Sequence, residues 1–398
     1  MADTVSTISL KPAESWLALA WRRALRRPAA KVGLVWVALV ALCALLAPLL
    51  ASSHPLLLKA GGAWSSPWLR HLTAVDITLL GVAFLGLPFL FSVRLWTAGV
   101  RFAVLLIAAA ITWAVLALLI STPQAVVYER YREMEAAGQV EFRLRTPIAY
   151  SPSDRQRDIM QAQHPFPWAP SRQHLLGTDI NGQDVLSNMI HACRIAMSVG
   201  FIATGIAVVI AILVGGAMGY FAGWVDLIGM RLVEIFSGIP TIYLLLAIIA
   251  FVGRNIYLMM AVIGLTSWVG DARFVRAEFL KLRNQDFVQA AIASGLPLPR
   301  VLFRHILPNA LAPLLVSASF GVASAILIES TLSFLGMGLV DEASWGRLLD
   351  MARGEGGGFH WWIAAFPGLA IFLTILSYNF IGEALRDALD PRLQGSRA

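Results

Sequence analysis

The chain has 398 residues, of which 58% are hydrophobic and only 14% charged, with a formal net charge of +7. Soluble domains run at about 45–50% apolar and about 25% charged, so this excess of apolar side chains excludes a water-soluble globule and points to an integral membrane protein. The basic balance does not point to nucleic acid, because the arginines cluster beside apolar runs, as cytoplasmic flanks of membrane spans do, and no basic stripe carries stacking aromatics.

Residues 1–11 are polar. The next stretch, "AESWLALAWRRALRRPAAK", sets Trp16, Leu17 and Trp21 beside a block of cations from Arg22 to Lys31. It reads as an amphipathic segment at the membrane surface, with its basic side toward anionic lipid. The apolar run 32–50 is longer than the core of a signal peptide and is expected to be an uncleaved anchor. Two further runs, 76–93 and 99–120, are joined by "RLWTAGVR", whose Arg94 and Arg101 suit a cytoplasmic hairpin. Residues 121–192 are polar, and their proline-rich "HPFPWAPSRQ" should be extended or irregular.

Five more apolar runs follow, at 195–223, 226–252, 256–275, 306–335 and 363–384. The expected fold is therefore an all-α polytopic transmembrane helical bundle of about eight spans. Both termini fall inside, and 121–192 and 336–360 outside. Within the spans, Gly215, Gly219 and Gly223 are four apart and are expected on one helix face, where missing side chains let two backbones approach. Pro240 should break its helix, which membranes tolerate where protein or a water-filled cavity covers the freed backbone groups; it is a candidate pathway residue. Glu234 lies three residues after Arg231, the spacing of a local ion pair. Glu329 has no cation at helical spacing and is either a pathway or interface residue or a hydrogen-bonded structural one.

Signals for catalysis are missing. There is no Gly-Lys dipeptide and so no phosphate-cradling loop, no His-Glu-x-x-His and no Gly-x-Ser-x-Gly elbow. Cys43 and Cys193 do not have metal-ligand spacing, and no metal site is expected.

The stretch "FVQAAIASGLPLPRVLFRHILPNAL" lies between two apolar runs, on the cytoplasmic side by the span count. Phe287, Ala290, Ala291 and Ser294 recur at helical spacing, giving a small, weakly apolar face. Gly295 should end that helix in the left-handed conformation, Pro297 and Pro299 keep it from resuming, and Pro308 is expected in the first turn of the next span. Either this loop packs only on its own bundle, or another protein docks on it.

This stretch resembles the EAA loop of ABC-importer permeases at Ala290, Ala291, Gly295, Leu307 and Pro308, with Gln289 in place of the family glutamate and His305 in place of an isoleucine. "RHILPN" is similar to the oligopeptide/dipeptide branch. "HLLGTDINGQDVLSNMIHACRIAMSVG" resembles a segment of that branch's C-type permeases at Gly177, Thr178, Asp179, Gly182 and Asp184, and also at Arg194. The similarity covers roughly 15–52 and 174–393. It implies three parts: an N-terminal interfacial segment and first span (1–52), an insert with an extra hairpin and external loop (53–173), and a permease core (174–393) with a coupling loop at 276–305. The hairpin is an addition to a six-span core.

The resemblance further implies a subunit that is not itself an enzyme and binds no cofactor. It would pair with a second permease subunit, two cytoplasmic ATPase subunits that hold ATP and magnesium, and an external substrate-binding protein. The implied cargo is a peptide; a nickel chelate, glutathione or a peptide antibiotic are alternatives within the family. A secondary transporter, driven by an ion gradient without an ATPase, and a membrane-embedded enzyme are the alternatives outside it.

Overall fold

A computed structural model describes residues 21–92, 98–120, 127–159, 166–339, 342–354 and 358–389. The expectations for Trp16, Leu17 and Arg94, and for the chain beyond residue 389, lie outside these residues.

Helix α1 (Pro28–Leu50) is followed by strands β1 (Leu57–Ala60) and β2 (Ala63–Ser65). Helix α2 spans 74–92 and is interrupted by a π-turn at Val82–Gly86; α3 is Ala98–Leu119. The short helix α4 (Arg130–Ala136) leads into β3 (Val140–Leu144). The core follows with α5 (Val185–Phe221), α6 (Gly223–Ser237), α7 (Thr241–Val252) and α8 (Ile256–Leu282). Last come α9 (Asp286–Ala293), α10 (298–334, with a π-turn at Val301–Ile306), α11 (Trp345–Met351) and α12 (Trp361–Leu389).

Among the described residues, six helices are long and apolar enough to cross a membrane. The pair α6–α7, bent by 71°, makes a seventh if it counts as one span. The expected span at 76–93 is the shorter apolar helix Ala74–Leu90. The 71° bend occurs at Pro240, which caps the N-terminus of α7 as a residue without a donor can. The expected all-α bundle holds, with one addition that the sequence did not reveal: β2, β1 and β3 form a small antiparallel sheet. It joins the chain just after α1 to the chain just after α4, with Leu57 opposite Leu144 and Lys59 opposite both Phe142 and Trp64.

Helices α5 and α10 run through the three largest buried clusters, and α8 packs along α5. Along that seam a Cβ on Gly215 would sit 2.5 Å from the carbonyl oxygen of Ala272, one on Gly219 2.5 Å from that of Arg276, and one on Gly264 2.8 Å from that of Ala203. Hydrocarbon supplies no hydrophobic force between helices, so close backbone approach is what makes such a pair cohere. Gly223 does not share the seam. It has φ +53° with nothing near its missing side chain, and it serves the break between α5 and α6. At 37 residues, α5 is about 55 Å long, well beyond the roughly 30 Å hydrocarbon layer, so it carries the core out of the membrane at its ends.

Candidate functional site: the loop between α8 and α10, with its supports

The loop begins where Arg283 Nη1 donates to the carbonyl of Tyr220 at the end of α5 (2.8 Å). Two turns earlier, Arg276 Nη2 donates to Asp226 on α6 (2.6 Å). Cations at the end of α8 thus fix the loop to its neighbours before α9 starts.

Helix α9 stands on the bundle through Val288 and Ala291, both buried, with Val301 and Ile306 of the following π-turn in the same apolar cluster. This corrects one expectation. Ala291 does not lie on the outward face with Phe287, Ala290 and Ser294. It faces inward beside Val288, because 288 and 291 are one helical turn apart and the cluster lies on that side. The outward side carries Phe287, Ala290, Ile292 and Ser294.

The end of α9 is built from short-range hydrogen bonds. Ser294 N and Oγ both donate to Ala290 O, Gly295 N to Ile292 O, and Leu296 N to Ala291 O. The last bond requires a left-handed residue just before Leu296, and Gly295 has φ +72°. No atom lies within 4 Å of where a Cβ on Gly295 would be, so the glycine is there for its backbone conformation and leaves a smooth, open corner. Gln289 Nε2 donates to Arg283 O (2.8 Å), which closes the loop on itself by a neutral bond at the position where the resembled family carries a glutamate.

The chain then turns back at once. Pro297 caps a new helix and Pro299 lies in its first turn, so α10 starts at Leu298 rather than near Pro308. Pro308 lies in the first turn of the regular α-helical stretch Leu307–Phe334, as expected, and that stretch continues the helical backbone begun at Leu298. The proline sits ten residues inside this continuous backbone, immediately after the π-turn Val301–Ile306. A proline there removes one donor and crowds the carbonyl four residues back, and the wider turn makes room for it. His305 lies in the π-turn, half-buried, and its carbonyl accepts from Asn309 Nδ2 (2.7 Å); Leu307 packs on the bundle. The result is a rigid two-helix elbow. Phe287 (43% exposed), Ile292 (42%) and Leu298 (38%) are exposed on it, and Phe303 (61%) is exposed beside Phe221 and Leu213 of α5. These are four exposed large apolar side chains on two short, consecutive helical segments.

The second motif, 177–184, is a buried polar turn rather than a surface. Thr178 Oγ1 accepts from Trp168 N (2.7 Å), and Thr178 O accepts from Trp362 Nε1 (3.2 Å). Asp179 Oδ1 accepts from the backbone of Asn181 and Gln183, and Asp184 caps α5 by accepting from Ser187 N while His174 Nδ1 lies 2.8 Å from its other oxygen. Gly177 and Gly182 have φ near +80°, and a Cβ on either would strike a backbone carbonyl, Trp168 O at 2.6 Å or Arg155 O at 2.5 Å. Burial pushes the Asp179 carboxyl up to about 6, against the backbone donors that pull it down. The motif's work is to fix where α5 begins. Ten residues on, Arg194 donates to Ala44 O of α1 (2.8 Å) and pairs with Asp76 at the start of α2, so one guanidinium joins core, first helix and hairpin.

Glu329 is 3% exposed and accepts from Ser333 Oγ (2.7 Å), Ser344 Oγ (2.8 Å) and Ser330 Oγ (3.3 Å). Ser344 also caps α11, so the carboxylate ties α10 to the α11 loop. This is the hydrogen-bonded arrangement of the two that were open. Arg231 and Glu234 form the exposed i,i+3 pair that their spacing suggests, and Pro240 is exposed at the bend. Among the described residues no group of histidine, cysteine or carboxylate side chains could hold a metal. Reading the sequence missed the Arg194–Asp76 pair and the exposed Phe303. The first joins residues 118 positions apart, and the second shows only once the turn is built.

Comparison with known proteins agrees with this geometry. Residues 195–395 match the family model described as "binding-protein-dependent transport system inner membrane component", and residues 15–59 match that of the N-terminal transmembrane domain of oligopeptide transport permease C. The oligopeptide transport system permease protein OppC of Haemophilus influenzae is 40% identical over 55% of this chain and 70% of its own length. The dipeptide transport system permease protein DppC of Alkalihalophilus pseudofirmus is 36% identical over 56% and 74%. A putative peptide permease protein of Brucella suis is 39% identical over 62% and 80%. The chain is therefore a multi-pass inner-membrane protein and a member of the binding-protein-dependent transport permease family.

Proposed function

We propose that the chain is one of two permease subunits of an ATP-driven importer of peptides. Two cytoplasmic ATPase subunits carry ATP and magnesium, an external binding protein delivers the peptide, and both termini of this chain are cytoplasmic. The observation that carries the proposal is the elbow at Gly295. Val288, Ala291 and Val301 root it in the bundle, while Phe287, Ile292, Leu298 and Phe303 stand free. A rigid projection rooted in the core and tipped with uncovered apolar side chains suits a partner that must both hold the surface and move the helices behind it. The names of the relatives, which specify oligopeptides and dipeptides, support the substrate class.

The elbow moves as one body with α10, since α10 starts at Leu298 and runs unbroken through Phe334. Force applied at Phe287 or Phe303 therefore reaches the serine-bound Glu329 near the other end of α10. The test is uptake of a labelled peptide by proteoliposomes that contain this chain, a second permease subunit and two ATPase subunits, with the binding protein outside. Uptake that requires ATP and survives collapse of the ion gradients supports the proposal. Uptake that follows the gradient without ATP supports a secondary transporter instead.

A further inference from the structure

The start of α2 is tied to the core through Asp76 and Arg194, and α3 lies on the outside of it. The apolar window of α3 has none of its residues buried, so this helix meets membrane along its length. The two helices touch at Gly86, where a Cβ would lie 2.4 Å from Leu105 Cδ1, and the π-turn Val82–Gly86 at that point widens α2. On either side of the contact, small residues (Gly81, Ala108, Ala109) leave a groove of about 370 Å³, walled by Leu85, Phe89 and Val104 among others. Its polar lining is two threonines, and the hydroxyl of Thr78 is already donated to Ala74 O (2.8 Å). The groove therefore calls for hydrocarbon.

One turn beyond Val104 and Leu105, Arg101 reaches across the hairpin. Its Nη1 donates to the carbonyl of Leu90, and its Nε is buried with no hydrogen-bond partner among the described residues. No carboxylate pairs with it among those residues. Nε is enclosed, so a ligand reaches the guanidinium from its half-exposed outer side, where an anionic oxygen acceptor such as a phosphate suits it. An apolar groove and, one turn away, a cation with no carboxylate partner among the described residues describe the two ends of one amphiphile.

We infer that the α2–α3 hairpin is a binding site for a single anionic phospholipid, with an acyl chain in the groove and its phosphate on Arg101. A free anion would leave the groove empty, a zwitterionic lipid would bring its own cation beside Arg101 along with the phosphate, and a partner helix would bring no phosphate. Each methylene buried in the groove favours retention through purification.

The test is native mass spectrometry of the full-length chain, extracted with its co-purifying subunits, delipidated and titrated with phosphatidylglycerol or phosphatidylcholine of identical chains. One equivalent of phosphatidylglycerol should be retained at least tenfold more tightly than phosphatidylcholine. Arg101→Gln should erase the preference, Arg101→Lys should keep part of it, and Ala108→Phe should lose both lipids by filling the groove. Arg386→Gln, at another helix end, should change nothing. If Ala108→Phe does not fold, the Gln and Lys variants decide. Equal retention of the two lipids by the unaltered chain, undiminished preference in Arg101→Gln, or another polypeptide cross-linked to Ala108→Cys would overturn the inference.

Discussion

Substituting Gly295 separates the elbow's conformation from its contacts. At φ +72° an L-residue pays roughly 1–2 kcal/mol, and because no atom lies within 4 Å of the new Cβ, steric collision adds nothing. That cost falls on the elbow alone, since Val288 and Val301 still anchor both of its arms. A penalty of 1–2 kcal/mol lowers the population of the native elbow by about 5- to 30-fold relative to alternatives. Asparagine visits the left-handed region more readily than alanine, and a β-branched residue does so least. Transport by the reconstituted complex should therefore rank Gly295, then Gly295→Asn, then Gly295→Ala, then Gly295→Val, while the melting temperature of the isolated chain stays nearly constant. Equal transport by the Asn and Val variants would refute the conformational argument, and a uniform loss of chain stability would refute the claim that the elbow is locally anchored.

Three other outcomes follow from the packing. Gly219→Leu drives a side chain into the carbonyl of Arg276 and should cost more than the 1–3 kcal/mol typical of overpacking, so the chain should fail to accumulate in the membrane, whereas Gly223→Ala should accumulate. Glu329→Leu strands the hydroxyls of Ser333 and Ser344 and should lower stability by about 2–4 kcal/mol in denaturant titration, while Glu329→Gln keeps an acceptor and should stay within about 1 kcal/mol of the parent. Asp179 gains its proton more readily when folded than unfolded (about 6 against 3.8), so the folded state loses stability as pH rises from about 4 to 6, by roughly 3 kcal/mol in all. Asp179→Asn should remove that slope in a series of denaturation midpoints; a wild-type midpoint that rises over the same interval would contradict the assignment.

Composition and apolar run length made the bundle legible, because a segment that must satisfy its own backbone in hydrocarbon has few options. Gly215 and Gly219 announced their seam through spacing, and Gly295 with Pro297 announced the elbow, since each residue type dictates a backbone conformation without reference to distant neighbours. What the sequence hid depends on distance. Ala291 turns inward only because a cluster of residues from α5, α8 and α10 waits on that side. The π-turn that joins the first turn at Pro308 to the helical backbone begun at Leu298 was hidden, since no local pattern marks a π-turn. The sheet of β1, β2 and β3 escaped notice because its strands are three to five residues long and its partners lie some 80 residues apart. The pair Arg194–Asp76 likewise joins the core to the inserted hairpin across the chain.

The central claim is that the elbow around Gly295 is gripped by an ATP-hydrolysing partner. Ala290 is exposed on the outer side of α9, away from the buried Ala291, and takes a small reactive probe without disturbing the anchor. With Cys43 and Cys193 replaced, Ala290→Cys in the assembled complex should cross-link to the ATPase subunit through a short bifunctional reagent, with a yield that changes on adding nucleotide. A cysteine that cross-links only within its own chain, or an ATPase captured solely from another surface of this subunit, would contradict the account.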